Sequence, residues 1–91
     1  MSTVKLLAET NNPEYNILKA IEEMSELSVR LSQSLTKGAS KEDIIEELGD
    51  TVFRIKVLTH MYGKDEVNKR VEYKLSTCEE WLKEGKYLNG V

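Results

Sequence analysis

Ninety-one residues, 40% hydrophobic and 32% charged, make one small globular domain that is too apolar for disorder and short of a large core. A net charge of -3 leaves no basic excess for binding a nucleic acid polymer through its phosphates. The single cysteine, Cys78, excludes an internal disulfide and a cysteine-based zinc site.

Residues 1–11 carry one apolar patch, Val4, Leu6, Leu7 and Ala8, which reads as a lead-in segment or short helix ahead of a helical domain over 12–91. Met1 to Thr10 lacks the long apolar core and cleavage site of a secretory leader. No apolar run approaches the ~20 residues of a membrane span. Together these features predict a cytoplasmic protein with no membrane partner.

Asn12-Pro13 reads as a helix start: Asn is a good N-cap, Pro is tolerated at the first helical position, and Glu14 suits the positive helix end. Ile17, Ile21, Met24, Leu27, Leu31 and Leu35 then recur at three- and four-residue steps, predicting a helix of roughly 24 residues that Lys37-Gly38 stops. Leu18 and Val29 mark a second apolar side, while Glu23 and Glu26 fall beside Lys19 and Arg30, off the main stripe. Glu26 and Arg30 are spaced as an i,i+4 pair.

Ser40 is the expected N-cap of the next helix, with Asp43 completing a capping box. That helix runs to about Tyr62, where Gly63 stops it. Ile44, Ile45, Leu48, Val52 and Ile55 form one face; Phe53, Val57, Leu58 and Met61 fill most of the remainder. A helix apolar nearly all round is expected to be central. Gly49 in its interior costs about 1 kcal/mol against Ala, and close approach of a backbone or ligand would explain it.

Asp65 is the expected N-cap of a third main helix, with Val67, Val71, Cys78 and Leu82 on one face, Trp81 and Lys74 at its edges, and Gly85 at its end. Tyr87, Leu88 and Val91 in the tail are candidates for docking on the body or on a partner chain. The predicted architecture is therefore all-α: a small bundle of three main helices, with a short fourth at one end, completed by oligomerisation because its helices are apolar on more than one side.

Two acidic pairs stand out. Glu23 and Glu26 are three apart, as are Glu47 and Asp50, and such residues share a helix face. If the two helices pack antiparallel, four carboxylates converge. Their mutual repulsion calls for something cationic: a hard ion such as Mg2+ or Mn2+, which oxygen ligands suit, or a set of basic side chains. Burial of Glu47 and Asp50 on the most apolar helix sharpens that need. His60 is isolated, with no Glu-x-x-His or His-Glu-x-x-His around it, and reads as structural. Cys78 reads as a small buried hydrophobe. The glycines are too scattered for a phosphate-binding loop.

Glu22-Glu23-Met24-Ser25-Glu26, twenty residues, then Glu47-Leu48-Gly49-Asp50, all on helices, resembles the MazG-like all-α nucleoside triphosphate pyrophosphohydrolases. That superfamily includes the dimeric dUTPases and dCTP pyrophosphatases. The resemblance spans Asn16 to about Leu82, and Glu72-Tyr73-Lys74-Leu75 is similar to the family's third-helix lysine motif. It implies Mg2+ ligation by Glu23, Glu26, Glu47 and Asp50, an outer role for Glu22 in the catalytic group, and Lys74 near the triphosphate. The arginine that often follows the lysine is replaced by Glu79-Glu80-Trp81, which leaves phosphate contacts fewer or supplied by Arg70, Lys69 or another subunit. The function implied is Mg2+-dependent hydrolysis of an NTP or dNTP to the monophosphate and pyrophosphate, in a homodimer or homotetramer. Two other classes compete: a nucleotide-binding module without turnover, and a helical interaction module whose acidic residues pair with Lys19, Arg30, Arg54 and Arg70.

Overall fold

The computed structural model describes residues 2–36 and 38–85. They form four helices: α1, Thr3–Thr10; α2, Pro13–Thr36; α3, Lys41–Tyr62; and α4, Lys64–Lys83. The all-α expectation holds, with the lead-in patch folded as the short helix α1. Lys37 and the expected docking tail, Tyr87, Leu88 and Val91, lie outside the described residues.

Local hydrogen bonds explain most helix ends. The Ser2 side chain accepts from the Lys5 N–H at 3.3 Å to start α1. Asn12 Oδ1 accepts from the Glu14 N–H at 2.8 Å, capping α2 ahead of Pro13. The Gly38 N–H returns to the Gln33 carbonyl at 2.9 Å and closes the same helix. At α3 the capping box is reciprocal: the Asp43 N–H donates to Ser40 Oγ at 3.1 Å and the Ser40 N–H to Asp43 Oδ2 at 3.2 Å.

The start of α4 departs from expectation. Its cap is Gly63, without a side-chain hydrogen bond, and the helix begins at Lys64. Gly63 adopts φ 120, so α3 ends and α4 begins around one residue. That leaves Asp65 inside the first turn with Glu66, where both suit the helix dipole.

The chain divides into two compact units, Met1–Met61 and Tyr62–Val91. In the first, α1 packs on α2 around Asn16, which is 1% exposed. Its Nδ2 donates to the Leu7 carbonyl at 3.1 Å and its Oδ1 accepts from Asn11 at 3.2 Å. Burial of this amide is thus matched by partners on both sides. In the second unit α4 buries no residue, and Cys78 is half-buried with a free thiol.

Burial also corrects the expected faces. The buried residues of α2 are Asn16 and Ala20, followed along the same line by half-buried Glu23, Leu27 and Arg30. Much of the longer apolar stripe, Ile21, Met24, Leu31 and Leu35, is exposed. Likewise α3 buries only Thr51 and Val57, while Ile45, at 57%, and Leu48, Val52 and Ile55 remain exposed. The expectation of a central α3 therefore fails within one chain. So short a chain has too few helices to cover both sides of α3, and among the buried positions of the two helices are the small residues Ala20 and Thr51.

Gly49 is exposed, and a Cβ built on it meets no atom within 4 Å, so no close approach of protein backbone accounts for it. Gly49→Ala is expected to stabilise the ligand-free chain by about 1 kcal/mol, the helix-propensity difference. Urea melts of the two proteins check this; an unchanged or lower midpoint would show that the backbone there departs from an ordinary helix interior.

Candidate functional site

Two contacts set the register of α2 against α3. The Thr51 hydroxyl lies 2.8 Å from the Glu47 carbonyl of its own helix and 3.1 Å from the Glu23 carbonyl of α2. One turn earlier on α3, Glu47 Oε1 is 4.0 Å from Arg30 Nε. Since the earlier residue of α3 meets the later residue of α2, the helices run antiparallel. Thr51 consequently ties together the backbones of two of the glutamates singled out in the sequence.

Those glutamates converge. One carboxylate oxygen each from Glu23, Glu26 and Glu47 lies within 4.8 Å of the others. Glu23 and Glu47 are half-buried and Glu26 is exposed. The Glu47 side chain is only 14% exposed. Glu23 Oε2 and Glu47 Oε2 are buried without a hydrogen-bond partner, a situation that ordinarily carries a penalty. Asp50 stands outside this group: it is exposed, although its charge still acts on Glu23. The expected four-carboxylate centre is a group of three, with Asp50 at its flank.

Protonation follows from this crowding. Burial pushes the Glu23 carboxyl above its ordinary value, and the charges of Glu26, Asp50 and Glu22 add to the effect while Arg54 opposes it. Burial likewise raises Glu47, reinforced by the charge of Glu26, hydrogen bonding to Glu26 and the charge of Glu23, with Arg30 in opposition. Three carboxylate oxygens within 4.8 Å of one another could hold a cation. Glu23 and Glu47 are the pair whose unpartnered oxygens a cation would satisfy.

The remaining expected residues fall elsewhere. Glu22 Oε2 pairs with Lys19 Nζ at 3.2 Å on the exposed side of α2, in keeping with an outer position. Glu26 is not paired with Arg30, whose Nη1 instead donates to Gln33 Oε1 at 3.3 Å. Lys74 and Arg70 are exposed on α4 in the other compact unit, with Arg70 4.7 Å from the Tyr73 ring centre. His60 is half-buried in the last turn of α3. Beside the carboxylates an open depression of about 450 Å³ is lined by Ser25, Glu26, Val29, Arg30 and Glu47. Ser25 and Val29 were not expected there, although their positions beside and three residues after Glu26 carry that signal. Comparison with protein families, with curated proteins and with solved structures finds no match to this chain.

Because Glu23 and Glu47 hold protons more tightly folded than unfolded, their contribution to stability is present below the ordinary glutamate range and lost as pH rises through their raised values. In EDTA, the wild-type chain is expected to lose stability between about pH 4.3 and neutrality relative to Glu47→Gln, which cannot ionise. Paired denaturant melts across that range check the difference; parallel curves would contradict a raised Glu47. Thr51→Val removes the hydroxyl at nearly constant volume and is expected to destabilise the chain by about 1 kcal/mol or more, while also weakening any Mg2+-induced rise in melting temperature. A variant that loses stability yet keeps the full Mg2+ response would separate the tie from the cluster.

Proposed function

We propose that the chain is a divalent-cation-dependent nucleoside triphosphate pyrophosphohydrolase of MazG-like type, acting on an NTP or dNTP. The observation that carries this reading is the convergence of Glu23, Glu26 and Glu47, with two buried oxygens lacking partners. Its family component rests on the spaced acidic motifs of the sequence.

Glu23 and Glu47, fixed on facing helices, would hold a Mg2+ or Mn2+ ion with Glu26, and Asp50 flanks them. Such an ion supplies Lewis acidity towards phosphate oxygens and makes a bound water nucleophilic near neutral pH. Glu26, the exposed member of the group at the edge of the depression, would take the proton from an attacking water. In the reaction, water adds to phosphorus, the bridging bond between the α- and β-phosphates breaks, and the products leave as monophosphate and pyrophosphate. Arg30, 4.0 Å from Glu47 Oε1, borders the same depression. Lys74 and Arg70 remain proposed triphosphate contacts.

Assembly into a homodimer or homotetramer belongs to the same proposal. Its support is the exposed apolar surface of α2 and α3, Ile21, Ile45, Leu48 and Val52 among it. No helix among the described residues is long and apolar enough to cross a membrane, and a cytoplasmic location is proposed on the composition.

A helical interaction module has a specific observation of its own, since Lys19 and Arg30 do pair with Glu22 and Glu47. Arg54 and Arg70 instead lie over the Phe53 and Tyr73 rings. The Arg30 contact, at 4.0 Å, is too long to compensate three carboxylates.

Assay of the purified chain against the common NTPs and dNTPs, with Mg2+ or with EDTA, tests the proposal. Pyrophosphate and monophosphate are expected in equal amounts with Mg2+ and not with EDTA. Glu47→Gln is expected to lower kcat by about a hundredfold or more. A chain that binds nucleotide and releases no pyrophosphate would be a binding module; one with neither nucleotide binding nor a Mg2+ response would be the interaction module.

A further inference from the structure

The antiparallel register carries the α3 face beyond the carboxylates. Arg54 follows Asp50 by four residues and Glu47 by seven, so the three share a face of α3. With Thr51 against Glu23 and Glu47 against Arg30, each step towards the C-terminus of α3 is a step towards the N-terminus of α2. Arg54 therefore comes opposite Glu23 and Lys19. Its charge is felt at both: it favours the ionised form of Glu23 and opposes the charge on Lys19.

Two cations from different helices are thus brought to one edge of the carboxylate group, against their mutual repulsion. Lys19 is paired with Glu22 at 3.2 Å. Arg54 acts on Glu23 through its charge alone. Its guanidinium carbon sits 5.1 Å from the Phe53 ring centre. Among the described residues no carboxylate lies within ion-pair distance of it, and it makes no side-chain hydrogen bond. It is half-buried, so its stem is restrained while its donors stay unused. A planar fork of free N–H groups is matched by the paired oxygens of a phosphate.

We infer that Arg54, with Lys19 beside it, forms a phosphate-binding subsite that holds the far end of a polyphosphate whose near end lies at Glu23, Glu26 and Glu47. This deepens the pyrophosphohydrolase reading and rests on it. About 11 Å of helix separates Glu47 from Arg54, a span that a chain of phosphates attached at the carboxylate end can cover. Phe53 under the guanidinium limits its swing and pre-orients the fork.

Calorimetric titration of the full chain with inorganic tripolyphosphate in Mg2+ tests the subsite. The wild type is expected to bind, and Arg54→Gln to bind about tenfold more weakly or worse. Arg54→Lys, which keeps charge and stem but loses the fork, is expected to bind several-fold more weakly. The Mg2+-induced rise in melting temperature is expected to be unchanged in Arg54→Lys, which keeps the charge that acts on Glu23, and a merely structural role for Arg54 would not give that together with weaker tripolyphosphate binding. Wild-type affinity in either variant, or no tripolyphosphate binding by the wild type, overturns the subsite. Failure of the hydrolase reading looks different: tripolyphosphate binding remains sensitive to Arg54, yet no nucleotide yields pyrophosphate.

Discussion

One hydroxyl group governs the geometry of the first unit. Thr51 lies within hydrogen-bonding distance of the main-chain carbonyls of Glu47 and Glu23, the two residues whose side chains are then forced into the same small volume. A larger side chain at 51 would hold the helices apart; an apolar one would leave the α2 carbonyl without this partner. Carboxylate crowding accompanies that contact: one oxygen each of Glu23, Glu26 and Glu47 lies within 4.8 Å of the others.

Electrostatics then sort the carboxylates into unequal roles. Glu23 and Glu47 are shielded from water and surrounded by negative charge, so both are shifted towards the protonated form. Glu26 and Asp50 are exposed and keep access to solvent. The basic side chains are distributed around the group rather than within it: Arg30 at one end near Glu47, Lys19 and Arg54 towards the other. A group arranged in this way is negative at its centre and positive at its edges. That pattern is complementary to a cation bearing an anionic ligand, and less so to either alone.

How much of this was legible in the sequence depended on how local each feature is. The caps at Asn12 and at Ser40 with Asp43 were read correctly because a cap is decided within four residues. Asp65 was misread because the positive φ of Gly63, invisible in composition, starts α4 two positions earlier. The apolar stripes were read correctly as helical and are buried only in part: Val57 is buried and Ile17, Leu27 and Ile44 are half-buried, while the buried Ala20 and Thr51 count for little in a hydrophobicity pattern. The i,i+3 spacing showed that Glu23 and Glu26 share a face, but the exclusion of Asp50 from the group depends on the rotation of α3 about its own axis. That rotation is set by Thr51, a residue with no place in the acidic motif. Arg54 was visible as a cation projecting from α3; its place beside Lys19 required the antiparallel register.

The junction at Gly63 has a consequence for sequence change. Its φ of 120 lies beyond the small left-handed well that Asn and Asp visit, and an added Cβ would come 3.3 Å from Glu66 Oε1. The same residue's carbonyl accepts the Val67 N–H at 3.0 Å to begin α4. Its neighbours Tyr62 and Lys64 are exposed and under no such backbone restriction. Mutational drift through this junction would thus find two permissive positions flanking one that admits only glycine.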